Sequence, residues 1–569
     1  MLIRIICKYW FVFVIPTIMA GLLVLLKISS GPYWQNVDPS YAYLFNSLNL
    51  VKGLASHEFF HPGTTVQILA LWIFKIMNLG HTNADIVNRV LSAPEYYLNL
   101  INIFMVVSFC LLSAAFAAYV FRKTTDWIAA VLTQIPLLAF LVLKSFDSGF
   151  PIPTVVVNVS PDPMLICVGI IYNWLLLNLY FSKTGREEFW TVFWLGIIGG
   201  MGLATRLTFF PLLIVPLILI SWRKKSVFIV LCVASFVAFT LPVLKEYRTL
   251  WYWINALSFH TGVYASGKNG FIDFSSFFIN LKIMFIRYWF FMLFGCLVWV
   301  WSSWKIFKRD KAKGIFFLWS ISFSVLLQFM MVAKHFSHHY MLIGISLFSS
   351  LLFLYYLTQM AKYKIGKVIA GVFIVIFSIF FIVQSFIYSN KAAVMNKEIL
   401  EFRQNINSKY DKCVSLGYYG QPVLNPEYAL FFGNFFSGLS LKEELSKIYP
   451  KYLYFNRDYY RIYNFKDVVF ADDLLPQVPC VIFVGNQYDF TLGPYSVELL
   501  EQGKYANVYG LVSSNEKFAQ RFADIAIKEL QSGNFVKALQ LALQSKKLKF
   551  FPQHTIDGLI SEIVKNIKN

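Results

Sequence analysis

Four places in this chain carry residues of types that chemistry uses. Asp38 opens the stretch DPSYAYLF, just past the first long apolar segment, and Asp162 sits in SPDPM immediately before another apolar run. Arg206 interrupts the apolar stretch from Trp190 to Trp222, and Lys334, His335, His338, His339 and Tyr340 form AKHFSHHY. A carboxylate at a membrane surface is suited to taking a proton from an attacking hydroxyl or to ligating a divalent metal. Each aspartate also supports a plainer reading as a helix N-cap, since Asp beside Pro commonly opens a helix. An arginine inside or at the rim of a membrane costs roughly 3 kcal/mol unless paired or wet. Its planar fork matches phosphate, and the plainer reading is a side chain snorkelling to headgroups. The histidine-rich cluster suits an anionic lipid headgroup and matches no zinc spacing. Asp147 reads as a solvated loop acid.

The elements that must position these residues are membrane spans. The chain has 569 residues, of which 57% are hydrophobic and only 14% charged, where a soluble protein carries roughly 25% charged residues. Segments near bilayer-spanning length read as Tyr9–Leu26, Leu100–Phe121, Trp127–Leu143, Met164–Phe181, Phe189–Ala204, Thr208–Trp222, Val227–Val243, Ile283–Trp304, Ile315–Val332, Met341–Met360 and Val368–Tyr388. Every second break between them is basic: Arg122/Lys123, Lys183/Arg186, Arg223–Lys225, Lys305–Lys313 and Lys362–Lys367. These breaks and the N-terminus are expected in the cytoplasm, and the C-terminal region outside. The net charge of +20 is thereby a topology signal, and nucleic-acid binding is not expected. The N-terminal segment lacks a clear cleavage site and reads as a retained anchor.

The outside loops hold almost every unusual polar residue of the membrane half. In the first of them, Tyr41, Leu44, Phe45 and Leu48 recur at helical spacing, predicting an amphipathic helix over Pro39–Lys52 with Asp38 as its cap and Gly53 as its stop. One apolar stripe predicts that this helix lies in the membrane interface. Thr64–Leu79, short and carrying Lys75, reads as a second interfacial helix. The loop Glu246–Asp273 is rich in aromatics that suit either sugar faces or an interface belt.

The fold class is therefore a polytopic α-helical membrane protein of about eleven spans with a C-terminal soluble α/β domain ending in a helical hairpin. The membrane domain is placed at 1–389, with loop 27–99 on its outer face, the α/β domain at 390–514 and the hairpin at 515–569. Strand-length runs at Cys413–Gly417, Val468–Phe470, Val481–Gly485 and Asn507–Val512 alternate with helical stretches at Leu441–Ile448 and Ser496–Gln502. The last segment resembles a single tetratricopeptide unit, and one such unit is usually a packed hairpin. Of seven cysteines only Cys413 and Cys480 fall in the polar region, where a disulfide is open to them. No Walker, GxSxG, HExxH or GxGxxG motif is present, so activated groups are expected to arrive already in the membrane.

Taken in order, these features resemble the C-type (GT-C) integral-membrane glycosyltransferases, the superfamily of the protein O-mannosyltransferases and the bacterial aminoarabinose transferases. The resemblance rests on the first-loop acid followed by Tyr41, Gly53 and His61-Pro62, then SPDPM, GLATRLT (Gly202–Thr208), HHYMLIG (His338–Gly344) and PEYALFFGN (Pro426–Asn434). Here Asp38 is followed by Pro39 where many members have a second acid, and His338/His339 stand where an arginine often precedes the tyrosine. The resemblance implies transfer of a sugar from a polyprenyl-phosphate-linked donor to a glycan, lipid or protein acceptor, at the outer face of a bacterial inner membrane. It implies Asp38 as general base with inversion, and Asp162 orienting the acceptor or helping Asp38 hold a divalent metal, should one be used. Arg206 and Lys334, with His338, His339 and Tyr340, would bind the donor phosphate, and His61 would position the donor. A transporter or flippase is the rival reading, which predicts acids near mid-membrane and internal repeats. A non-catalytic subunit is a third.

Overall fold

The computed structural model describes residues 9–60, 62–143, 154–261, 268–310, 312–417, 426–456, 461–469, 480–485, 491–492, 495–504, 506–511, 523, 525–548 and 554–568. They form two compact units, one of Met1–Gly31, Asp38–Asn396 and Phe436–Gly438, the other of Pro32–Val37, Lys397–Phe435 and Leu439–Asn569.

Among the described residues nine helices are long and apolar enough to cross a membrane: Trp10–Ser30, Pro94–Thr124, Pro161–Phe181, Gly185–Thr205, Trp222–Phe259, Phe274–Phe307, Lys313–Lys334, His338–Met360 and Lys364–Lys409. A helix satisfies its own backbone, which a lipid surface demands. His338–Met360 lies at the centre, with 83% of its apolar stretch buried, whereas Trp222–Phe259 is peripheral at 22%.

Two of the eleven expected spans are shorter and broken. Trp127–Leu132 is α-helical and passes into a 3₁₀ turn, Ile135–Val142, containing Pro136. Leu207–Leu213 is 3₁₀ through Pro211 before the short α-helix Ile214–Leu219 with Pro216. Each proline removes a backbone donor and ends regular α-helix. Irregular backbone survives at membrane depth where protein covers it, and every residue from Ile128 to Leu141 is buried. Polar contacts hold the chain on either side of the first of these segments. Asp126 at one end accepts from Tyr356 Oη at 2.7 Å, and beyond the other end Val159 N donates to Ser40 Oγ at 3.1 Å.

Polar ladders and glycine contacts join the helices. Asn173 Nδ2 donates to Gly169 O at 2.8 Å and Ser346 O at 3.2 Å, and Ser350 Oγ donates to Asn173 Oδ1 at 2.6 Å. Gly196 and Gly200 let the Gly185–Thr205 helix approach the Trp222–Thr240 helix, the small-residue packing that membranes favour. A Cβ at Gly196 would stand 2.9 Å from Phe228 O, and one at Gly200 would collide with Cys232 O, which is backbone and cannot swing aside. Gly200→Ala is expected to cost about 1–3 kcal/mol by overpacking, read as a lower melting temperature in detergent. An unchanged melting temperature would show that these helices can part freely.

The first-loop helix spans Ser40–Val51, with Pro39 at the N-cap position and no side chain capping it. Asp38 is thus not its cap. Nor is the helix one-sided, because Asn46 and Asn49 on its polar face are as buried as Leu44 and Phe45. The expected interfacial stripe is replaced by protein on all sides. Gly53, at φ +75°, provides the stop, a conformation that favours glycine.

In the second unit eight strands are described, in the order β4-β3-β2-β1-β5-β8-β7-β6. They are β1 (Val414–Gly417), β2 (Tyr454–Asn456), β3 (Arg461–Tyr463), β4 (Val468–Val469), β5 (Val481–Gly485), β6 (Thr491–Leu492), β7 (Tyr495–Gln502) and β8 (Asn507–Leu511). Strand β1 pairs in parallel with β2 and β5, and the remaining pairs are antiparallel. Cys413 and Cys480 form a disulfide just before the paired β1 and β5. Ser496–Gln502, expected as helix, is most of β7. A β-bulge between Leu499 and Glu501 absorbs the adjacent leucines that mimic helical spacing, and Leu500 packs over Gly510 of β8. The helices Phe535–Leu548 and His554–Lys568 form a hairpin around Ala526, Ala538, Ala542 and Ile563.

Candidate functional site

At one end of the first unit a cavity of about 340 Å³ receives residues from Asp38, the Ser40 helix, the Glu58 loop, Ser160–Asp162, Arg206, Trp253, the His335–Tyr340 turn and Phe436. Short polar ties bring these stretches together. Val159 is bonded to Ser40 as described, Thr64 Oγ1 donates to Ala204 O at 3.3 Å, and Thr65 Oγ1 lies 2.9 Å from Thr205 Oγ1. The Gly185–Thr205 helix ends there, and Arg206, in extended backbone, turns its side chain into the cavity.

Arg206 is 4% exposed. Its Nη1 donates to Asp162 Oδ1, and its guanidinium carbon lies 5.0 Å from the centre of the Tyr340 ring. Its Nε is buried with no hydrogen-bond partner, a donor whose desolvation is uncompensated until an acceptor arrives. Asp162 is not the cap of its helix. Ser160 holds that place, accepting from Asp162 N at 3.3 Å, and Asp162 in the first turn is left to bind the arginine.

Asp38 is the contrasting carboxylate. Among the described residues it has no hydrogen-bond or ion-pair partner, and burial alone pushes its carboxyl up to about 6 from 3.8. Glu58, on the same cavity, is wholly buried. Burial first and the Asp38 charge second push its carboxyl up to about 8, against a smaller opposing bond from the Phe60 backbone. Burial first, and the Asp38 charge second, thus favour Glu58 as the neutral acid and leave Asp38 as the carboxylate of the two at neutral pH. His335, also lining the cavity, is held below its ordinary 6.5 by burial and by His260.

The histidine cluster divides. His339 and Tyr340 face the cavity, with His339 Nδ1 2.9 Å from Ser337 Oγ and Gln328 Nε2 donating to Tyr340 O at 2.9 Å. His338 turns away, its Nε2 3.2 Å from Arg287 Nη1 and its Nδ1 2.9 Å from Tyr288 Oη. Lys334 does not line the cavity either: its Nζ donates to Ser258 O at 2.6 Å and lies 4.0 Å over the Phe271 ring. His61 and Asp147 fall outside the described residues. Glu58 and Phe436 are cavity residues to which sequence reasoning gives no role, whereas Trp253 comes from the aromatic loop Glu246–Asp273 that suits sugar faces or an interface belt. Glu58 left a signal, as an acid among aromatics in the same loop as Asp38.

The donor set among the described residues does not fit a divalent metal. Among the described residues no three His, Cys, Asp or Glu side chains converge as metal ligands, and Asp162 is already committed to a guanidinium. What the arrangement offers is a half-buried carboxylate with no partner among the described residues, on one cavity with a guanidinium that keeps a spare donor.

No protein-family model matches the chain, and no curated protein matches it by sequence. Among solved structures it is similar to the crystal structure of ArnT from Cupriavidus metallidurans bound to undecaprenyl phosphate, at 12% identity and a TM-score of 0.46, over 87% of this chain and 97% of that one. It is also similar to the apo state of the same protein, at 13% identity and a TM-score of 0.45, over 88% and 98% of the two chains.

Proposed function

We propose that this protein is a membrane glycosyltransferase that moves a sugar from a polyprenyl-phosphate-linked donor to an acceptor hydroxyl on the extracytoplasmic face, with inversion. The observation that carries this reading is the convergence on one cavity of Asp38, which has no partner among the described residues, and Arg206, whose Nε is left without a hydrogen bond. Asp38 takes the proton of the acceptor hydroxyl, whose oxygen attacks the anomeric carbon from the face opposite the phosphate. The bond from that carbon to the phosphate oxygen breaks, and its electron pair departs on the polyprenyl phosphate. Arg206 meets the growing charge through the N–H groups that Asp162 does not take, a preorganised donor set. Asp162 holds the guanidinium in place, and no step runs through a metal. Lys334 and His338, engaged elsewhere, have no part in this scheme.

Two features support the outer face. The basic breaks follow the helix ends opposite those that meet the cavity: Pro161–Phe181 begins at Asp162 and ends before Lys183. The Cys413–Cys480 disulfide suits an oxidising compartment.

The rate should carry the signature of Asp38. The carboxylate is the active form, so kcat/KM for the donor should fall as pH drops through about 6. An acid limb near 4, the range of a solvated aspartate, would remove Asp38 as the base. Inversion is checked by the anomeric configuration of the product in NMR.

A further inference from the structure

Asn46 lies in the middle of the Ser40–Val51 helix with no exposed surface. Its Oδ1 accepts from His57 N at 2.8 Å, Ser56 Oγ at 3.1 Å and Glu58 N at 3.3 Å. Its Nδ2 donates to Ala42 O at 2.9 Å and to Phe436 O at 3.0 Å, the latter 390 residues away in sequence. One amide thus fills its capacity on two separate segments. One helical turn on, Asn49 Nδ2 donates to Ser437 O at 2.9 Å. Gly438, at φ +73°, lies against the His57 ring, where a Cβ would stand 2.7 Å from Cδ2. The strap Phe436–Gly438 is therefore clipped to the helix at two points and backed by the Glu58 loop.

Both clipped segments are cavity walls. The loop supplies Glu58 and Phe60, and the strap supplies Phe436. Ala42, one turn before Asn46 and bonded to the same amide, lines the cavity with Asp38 and Phe436. We propose that Asn46 is a positioning residue, which sets Glu58 and Phe436 around Asp38 through one amide and makes the strap an aromatic wall for the acceptor. This rests on the transferase reading, in which Asp38 faces the acceptor. A fully satisfied buried polar group of this kind fixes one arrangement, and its loss frees both segments together.

The test uses the full-length protein in detergent and in vesicles. A cysteine placed by Ser437→Cys, at a position with no exposed surface, is labelled with a water-soluble maleimide, the parent chain giving the background of native cysteines. Asn46→Ala and Asn46→Asp, the second keeping an acceptor but losing the bond to Phe436, should raise the labelling rate at least about tenfold. In the same variants, release of polyprenyl phosphate from a polyprenyl-phosphate-linked sugar should show kcat lowered at least about tenfold and KM for the donor within about twofold. Unchanged labelling would overturn the clip. Faster labelling with kcat intact would overturn the positioning role. Should the Asn46 variants fail to fold, Phe436→Ala, which leaves no buried polar group stranded, is expected to lower kcat similarly, and an unaltered kcat would decide against the proposal. A parent chain that releases no polyprenyl phosphate would count against the transferase reading, while the labelling arm would still report on the clip.

Discussion

Asp38→Asn is expected to lower sugar transfer by about 10²–10⁴-fold while leaving donor binding and the fold intact. The amide has the shape of the carboxylate but takes no proton. Stability gives a second signature. Because the folded-state value is raised from 3.8 to about 6, the folded chain holds this proton more tightly than the unfolded chain does. Stability contributed by the neutral acid is present below 3.8 and lost as pH rises through about 6. Above that, the parent carries a buried charge that the asparagine variant lacks, so the variant should melt no lower at neutral pH. A dead enzyme that is at least as stable as its parent is the pattern of a residue kept for chemistry. Donor turnover and melting temperature, measured on the same preparation, check both halves.

Arg206→Ala should do the opposite. It leaves the Asp162 carboxylate buried without its partner, and breaking a buried pair from one side typically costs about 3–5 kcal/mol. Binding of polyprenyl phosphate should be lost with it, since the spare donor and the charge go together. The paired change Arg206→Met with Asp162→Leu separates the effects: an apolar replacement of both partners is often neutral or stabilising. The double variant should recover the melting temperature of the parent but not the binding. Recovery of both would show that Arg206 serves only the fold.

Asp38, Asp162 and Arg206 were legible in the sequence because an isolated charge in a chain that is only 14% charged has few places to be. Their common cavity needed no more than a shared end of the bundle. Other features were hidden because they depend on which way a side chain turns. His338 and His339 are neighbours in sequence, yet one bonds Arg287 and the other faces the cavity. Asn46 and Asn49 look like a solvated helix face until Phe436 and Ser437 cover them. Nine long apolar helices rather than about eleven spans stand among the described residues, because apolar length alone does not show that Pro136, Pro211 and Pro216 break regular α-helix in two of the expected spans. The exchange of helix for strand at β7 had less warning, since a bulge lets adjacent leucines sit in a sheet.

The most direct measurement gives the parent chain, in sealed vesicles, a polyprenyl-phosphate-linked sugar labelled in both the sugar and the prenyl chain, with a membrane extract as acceptor source. The account predicts free polyprenyl phosphate appearing in step with sugar on a new molecule, and neither product with Asp38→Asn. Sugar label crossing into the vesicles with its bond to phosphate unbroken, equally in both chains, would contradict it.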